Sequence, residues 1–227
     1  MDWGPFYLTF KLALVTTLIL LVVGVAIANW LAFSRFKFKS VAETLITMPL
    51  VLPPSVLGFY LLVAFGPQYA FGKFLIETLH VNLVFTFSGL VVASILYSLP
   101  FMVQPIQSAL QNLPATLRET SYTLGKSKLE TFFRVLLPNI KPSILTGIVL
   151  SFTHTIGEFG VVLMIGGSIP DQTKVVSIAI YEEVEALNYD TAHFYAFILF
   201  AITFSILLLV YSLNKKPITF FATAKSK

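Results

Sequence analysis

Charge disappears from this chain for long stretches at a time. No Asp, Glu, Lys or Arg occurs from Leu12 to Ser34, Thr44 to Gly72, Thr78 to Leu117, Pro142 to Gly157 or Thr191 to Asn214. A helix needs about 20 mostly apolar residues to cross the hydrocarbon core of a bilayer. Backbone at that depth must satisfy its own hydrogen bonds, which leaves helices and closed barrels. These windows therefore predict an all-α, polytopic membrane protein with five transmembrane helices, at about 8–33, 44–66, 83–108, 139–165 and 192–213. Charged residues make up 11% of the 227, against about 25% in soluble domains, so residues 1–227 read as one membrane domain. There is no cysteine, which excludes disulfides, thiolate metal sites and cysteine nucleophiles. No cleavable signal peptide is expected: Asp2 and no basic cluster precede the first apolar run.

Placing the basic residues on five spans gives an orientation. Arg35, Lys37 and Lys39 follow the first span; Arg118, Lys126, Lys128, Arg134 and Lys141 follow the third; Lys215, Lys216, Lys225 and Lys227 follow the fifth. Twelve of the fifteen thus fall on one side, leaving Lys11, Lys73 and Lys174 for the other. The positive-inside rule then puts the N-terminus outside and the C-terminus in the cytoplasm. It also accounts for the net charge of +4 without nucleic acid as a partner. Val175 to Leu187 carries Glu182, Glu183 and Glu185, and reads as a short outer-surface or re-entrant helix instead of a sixth span. Trp3, Phe6 and Tyr7 at one end of the first span, and Trp30 and Phe33 at the other, fit aromatic belts facing membrane lipid.

Two spans contain breaks. Pro49, Pro53, Pro54 and Gly58 interrupt the second; proline removes a donor and clashes with the preceding turn, so a kinked or opened helix is expected there. That helix either lines a translocation pathway or packs around a kink. The fourth contains Gly157, Glu158 and Gly160 in an apolar setting. An ionisable group at membrane depth is a functional candidate; the alternative is that Glu158 caps or snorkels near an interface. His154 lies on the same helix face, but two ligands fall short of a metal site. An intramembrane enzyme built on His154 and Glu158 stays as a minor alternative. No metal site and no catalytic residue is assigned: Gly-x-Ser-x-Gly, His-Glu-x-x-His and a phosphate loop are all missing. The hydroxyls of Thr47, Ser55, Ser151 and Thr155 are candidates for a weak anion path, or else only bond their own backbones.

Between the third and fourth spans lies a polar stretch, Glu119 to Pro138, ETSYTLGKSKLETFFRVLLP. It resembles the signature of ABC-importer permeases, Glu-Ala-Ala, three residues, Gly, nine residues, Ile-x-Leu-Pro. Glu119, Thr120 and Ser121 stand for the first triplet, Gly125 for the glycine, and Val135, Leu136, Leu137 and Pro138 for the end. Thr and Ser replace the two alanines, and Val the isoleucine. Small residues after Glu119 suit close approach by a partner, Gly125 a turn between two short helices, and Pro138 the start of the next helix.

The stretches Pro49 to Leu62 and Ile156 to Tyr181 resemble the molybdate branch of that family, with the sulfate branch as the alternative. The resemblance implies the type I ABC importer permease fold and a homodimer in the bacterial cytoplasmic (inner) membrane. It implies two copies of a cytosolic ATPase docked on a coupling segment at about 114–137, through Glu119, Thr120, Ser121, Gly125, Leu137 and Pro138. It also implies an extracytoplasmic binding protein that delivers an oxyanion such as molybdate or tungstate. The chain itself would be no enzyme and hold no cofactor, ATP and Mg being bound by the partner ATPase. The pathway would be lined from the second to fifth spans, with Thr47, Pro53, Pro54, Ser55, Ser151, Thr155, Gly157, Glu158 and Gly160 as candidates. The stretch from Ser168 to Asp190 is net acidic; an acidic mouth repels a free anion and favours delivery by a docked partner.

Overall fold

A computed structural model of the chain describes residues 2–213, which form helices, turns and loops with no strand among them. Lys215, Lys216, Lys225 and Lys227 of the charge count lie outside the described residues. The helices run in the order α1 (Gly4–Phe33), α2 (Lys39–Thr47), α3 (Pro54–Phe65), α4 (Ala70–Leu79), α5 (Phe87–Asn112), α6 (Ala115–Thr123), α7 (Lys128–Thr131), α8 (Leu137–Asn139), α9 (Lys141–Gly157), α10 (Gly160–Gly166), α11 (Val176–Glu185) and α12 (Tyr189–Leu213). A 3₁₀ turn at Met48–Leu50 extends α2, and a π-helical turn at Phe132–Leu136 joins α7 to α8.

Three helices, α1, α5 and α12, are each long and apolar enough to cross a membrane, and five spans result if each of two bent pairs counts as one. The first pair, α2 with its 3₁₀ turn and then α3, bends by 112°. Its cause is local: Pro53 sits extended at φ −54°, ψ 135°, as a residue before proline must, and Pro54 then opens α3 from the first-turn position it tolerates. The second pair, Lys128–Asn139 with α9, bends by 77°. Here Leu137 N–H donates to the Phe132 carbonyl, five residues back, and Pro138 has no N–H to offer. The long helix begins beyond that proline, with Pro142 in its first turn. Charge-free windows alone assign no helix to the α4 segment, because its Lys73–Glu77 pair, 3.7 Å apart, lies between them.

The core is a bundle of α1, α5 and α9. Lipid tails are as apolar as leucine, so close backbone approach and van der Waals packing hold such helices together. Met102, fully buried on α5, provides the example: a Cβ at Gly24 of α1 would meet its Cγ at 2.6 Å, and one at Gly147 of α9 its Sδ at 3.0 Å. The segment after the break is tied to α1 by one hydroxyl. Thr9 Oγ1 donates to Pro5 O (2.7 Å) and accepts from Val176 N–H (2.9 Å), capping α11 from another helix. With Val176, Ile178 and Ala179 buried, α11 packs on α12 and α1 and does not form a further span.

Candidate functional site

The fourth apolar window ends α9 at Gly157 and restarts as α10 at Gly160. A break at membrane depth needs partners for its free amides. Glu158 supplies one: its Oε1 accepts from Val161 N–H at 2.9 Å, so the carboxylate caps the following helix. Ser177 Oγ of α11 donates to the Glu158 carbonyl at 2.6 Å. The side chain is only 6% exposed. The capping alternative for Glu158 is therefore the one its geometry matches, with the cap inside the protein.

α3 packs directly on α10, with Gly160 against Pro54 and Gly58 against Met164 and Val161. A cavity of about 570 Å³ opens at this junction, and Pro54, Ser55, Gly157, Glu158 and Gly160 all line it. Five sequence candidates, about a hundred residues apart in two groups, thus meet at one place. Among the described residues no Lys or Arg lines the cavity. Tyr97, Thr153 and His154 complete much of the wall. His154 stacks on Tyr97 with centroids 4.7 Å apart and against Phe101 at 4.0 Å. No group of three metal-capable side chains occurs among the described residues. Tyr97 and Thr153 were missed in the sequence, where nothing in their surroundings separates them from packing residues.

The other candidates fall elsewhere. Ser151 and Thr155 are buried where α9 meets α5; Thr155 Oγ1 donates to the Ser151 carbonyl (2.8 Å) and pairs with Ser98 Oγ (3.1 Å). Helix packing buries both, and neither lines the cavity. Thr47 accepts from Gln104 Nε2 at 3.3 Å, next to Glu43 accepting from Gln107 at 2.7 Å, in a polar contact of α2 with α5. Neither Thr47 nor Pro53, exposed at the bend, lines the cavity.

The polar segment forms two short helices with a sharp turn. α6 ends in a Schellman arrangement: Gly125 N–H bonds the Tyr122 carbonyl (2.9 Å) and Lys126 N–H that of Ser121 (3.1 Å). This puts Gly125 at φ +76°, with nothing within 4 Å of where a Cβ would stand, so backbone conformation and not space selects glycine. Ser127 caps α7 by accepting from Glu130 N–H at 3.2 Å. Glu130 pairs with Lys126 (2.9 Å) and Arg134 (3.1 Å). The Lys126 hydrogen bond leads in holding its carboxyl below the usual glutamate range.

Around this turn Leu124, Leu129 and Phe133 are 73%, 71% and 61% exposed. Glu119 and Thr120 are exposed too, and no hydrogen bond or ion pair engages the Glu119 side chain among the described residues. A crevice of about 360 Å³ runs past Thr120, Leu124 and Lys126. Ser121 differs from the surface contact expected of it: 5% exposed, it bonds Thr131 Oγ1 at 2.8 Å and braces α6 on α7. Leu137 is half-buried and Pro138 exposed beyond the π turn.

Comparison with known proteins places this architecture. The chain is 47% identical to the molybdenum transport system permease protein ModB of Azotobacter vinelandii, over 93% of each. It is 31% identical to a putative molybdenum transport system permease protein, YvgM, of Bacillus subtilis, over 93% of this chain and 92% of that one. It is 33% identical to the sulfate transport system permease protein CysT of Salmonella typhimurium, over 85% of this chain and 68% of that one. The fold is shared with the MetNI methionine ABC transporter in inward-facing conformations (TM-score 0.71, 15% identity, 92% of each chain). It is also shared with a bacterial ABC transporter that imports alginate (TM-score 0.74, 15% identity, 94% of this chain and 79% of that one). Residues 11–216 match the family model described as binding-protein-dependent transport system inner membrane component. A helical membrane chain with a broken fourth span and a Gly125 turn, matched over nearly its whole length, this protein belongs to the inner membrane components of binding-protein-dependent transport systems.

Proposed function

We propose that this chain is the permease subunit of an ATP-driven importer of molybdate or tungstate. It works as a homodimer with two cytosolic ATPase subunits and receives its oxyanion from an extracytoplasmic binding protein. The observation that carries the coupling reading is the Gly125 turn, with Glu119 exposed on the helix before it and Leu124, Leu129 and Phe133 exposed around it. An apolar surface of that kind on a polar turn suits a protein partner. The choice of anion rests on the 47% identity to a molybdenum permease, against 33% to a sulfate permease.

Closure of the ATPase pair draws the two coupling turns together. The displacement passes through α7, the π turn and the bend at Ile140 into α9, and reaches the break at Gly157. With the basic-rich side in the cytoplasm, the cavity at that break opens toward the dimer axis. The positive end of α3, at Pro54 and Ser55, faces the anion there. With no Lys or Arg among the described residues of the wall, the anion is held weakly and passes on, and high-affinity selection belongs to the binding protein.

The test is uptake of labelled molybdate in cells expressing this chain with its ATPase, beside Glu119→Arg. Uptake that needs ATP, is blocked by molybdate more than by sulfate and is lost in the variant supports the reading. Uptake untouched by Glu119→Arg overturns the coupling role; stronger block by sulfate moves the chain to sulfate transport.

A further inference from the structure

A second crevice, of about 210 Å³, lies where α1 and α5 end and α6 begins. Phe33, Leu110, Leu113 and Leu136 supply apolar wall, Gln111 adds a neutral polar group, and among the described residues its one charged lining residue is Arg118. The Arg118 guanidinium lies over the Phe33 ring at 4.6 Å, a stacking geometry that suits a weakly hydrated cation. No carboxylate lines the crevice, and no ion pair engages Arg118 among the described residues. Arg118 and Glu119 are neighbours on α6 yet diverge: Arg118 turns back onto α1, while Glu119 stays exposed on the coupling turn.

The crevice sits at a membrane boundary. Phe33 and Asn112 close two of the three helices long enough to span, and the exposed Trp30 packs at a tilt against Phe36, centroids 4.8 Å apart, nearby. Aromatic residues of this kind mark the headgroup level. Arg35 and Lys37, both exposed, follow directly and extend the positive field. A fixed cation with open donors, over apolar walls that continue into the hydrocarbon, matches a molecule that is anionic at one end and apolar at the other.

We propose that this crevice holds the phosphate headgroup of an anionic membrane phospholipid, with Arg118 as its ligand and the acyl chains running down α1 and α5. Bound there, the lipid joins α1, α5 and the first turn of the coupling segment. This assignment rests on membrane insertion and is independent of which anion is transported.

Native mass spectrometry of the purified full chain, with phosphatidylglycerol or phosphatidylcholine added, reads the site directly. Phosphatidylglycerol should be retained preferentially and saturably, and Arg118→Gln should weaken it about tenfold, the size of one charge-assisted hydrogen bond. Arg118→Lys should keep part of the binding and Lys37→Gln nearly all of it. Equal retention by wild type and Arg118→Gln overturns the site. Equal losses in Arg118→Gln and Lys37→Gln overturn it in favour of diffuse surface charge, and displacement by inorganic phosphate overturns the lipid in favour of free phosphate. Should Arg118→Gln lose its helicity or thermal midpoint in phosphatidylcholine, Ala115→Glu at the crevice rim decides: it should repel phosphatidylglycerol, and unchanged retention rejects the proposal.

Discussion

Two of the chain's helix breaks, at Gly157–Gly160 and at Gly125, are managed in opposite fashions. The first lies inside an apolar window. Its carboxylate is buried and spent on the Val161 amide, its carbonyl is bonded by Ser177, and Pro54 packs against Gly160. The second lies in polar sequence. Its backbone is closed by local bonds, but Glu119 and three large apolar side chains are left bare. Where water is excluded, an unmatched polar group costs several kcal/mol, so the inner break is satisfied within the chain. At the polar turn water tolerates loose ends, and those ends are available to a partner.

The contrast predicts the largest effect at the inner break. Glu158→Leu leaves the Val161 amide buried without an acceptor, a loss of about 1–3 kcal/mol, and should lower the thermal midpoint in detergent and abolish uptake. Glu158→Gln keeps an acceptor oxygen and should retain most of the stability. If Leu and Gln behave alike, the carboxylate's role is not capping. Next comes Gly125→Val, which forces a β-branched residue to φ +76° at a cost of about 1–2 kcal/mol. The full chain should still fold and insert, while ATP-dependent uptake falls much further than stability does. Uptake and stability falling in step would remove the distinction between the two breaks.

A smaller effect is expected at the brace. Ser121→Ala and Thr131→Ala should each cost about 0.5–1.5 kcal/mol, and a double-mutant cycle should return most of that as coupling, since the hydroxyls are each other's partners. Additive losses would show that the contact is incidental. The smallest belongs to Glu130. Its lowered pKa means that its contribution is present above the unfolded glutamate value and fades as pH falls through the folded one. Being exposed, it should shift the acid limb of the unfolding curve only slightly, and Glu130→Gln should remove that shift.

The two breaks also differ in how legible they were. Gly125 could be located as a turn between two short helices because the Schellman cap found there is a local device, closed by a glycine just after a short helix. Glu158 could be located but not given a role. A carboxylate between two glycines reads alike as a pathway group or a cap until the helix is seen to end one residue before it. Ser151 and Thr155 show the converse. Their hydroxyls looked available in an apolar sequence, but the α5–α9 contact turns them inward, and helix rotation about its axis is set by packing against neighbours.

Short-range chemistry decided everything that could be read along the chain: membrane class from the loss of charge over whole windows, the bend of the second span from its prolines, and a turn between two short helices from Gly125. The cavity came from packing, which required α3 to cross α10 at Gly160 and Gly58 and α5 to bring Tyr97 beside His154. So did the Arg118 crevice, where Phe33 and Leu136 meet from distant parts of the chain. Contacts between residues a hundred positions apart depend on which helix faces pack together, and no local pattern of charge or spacing records that choice.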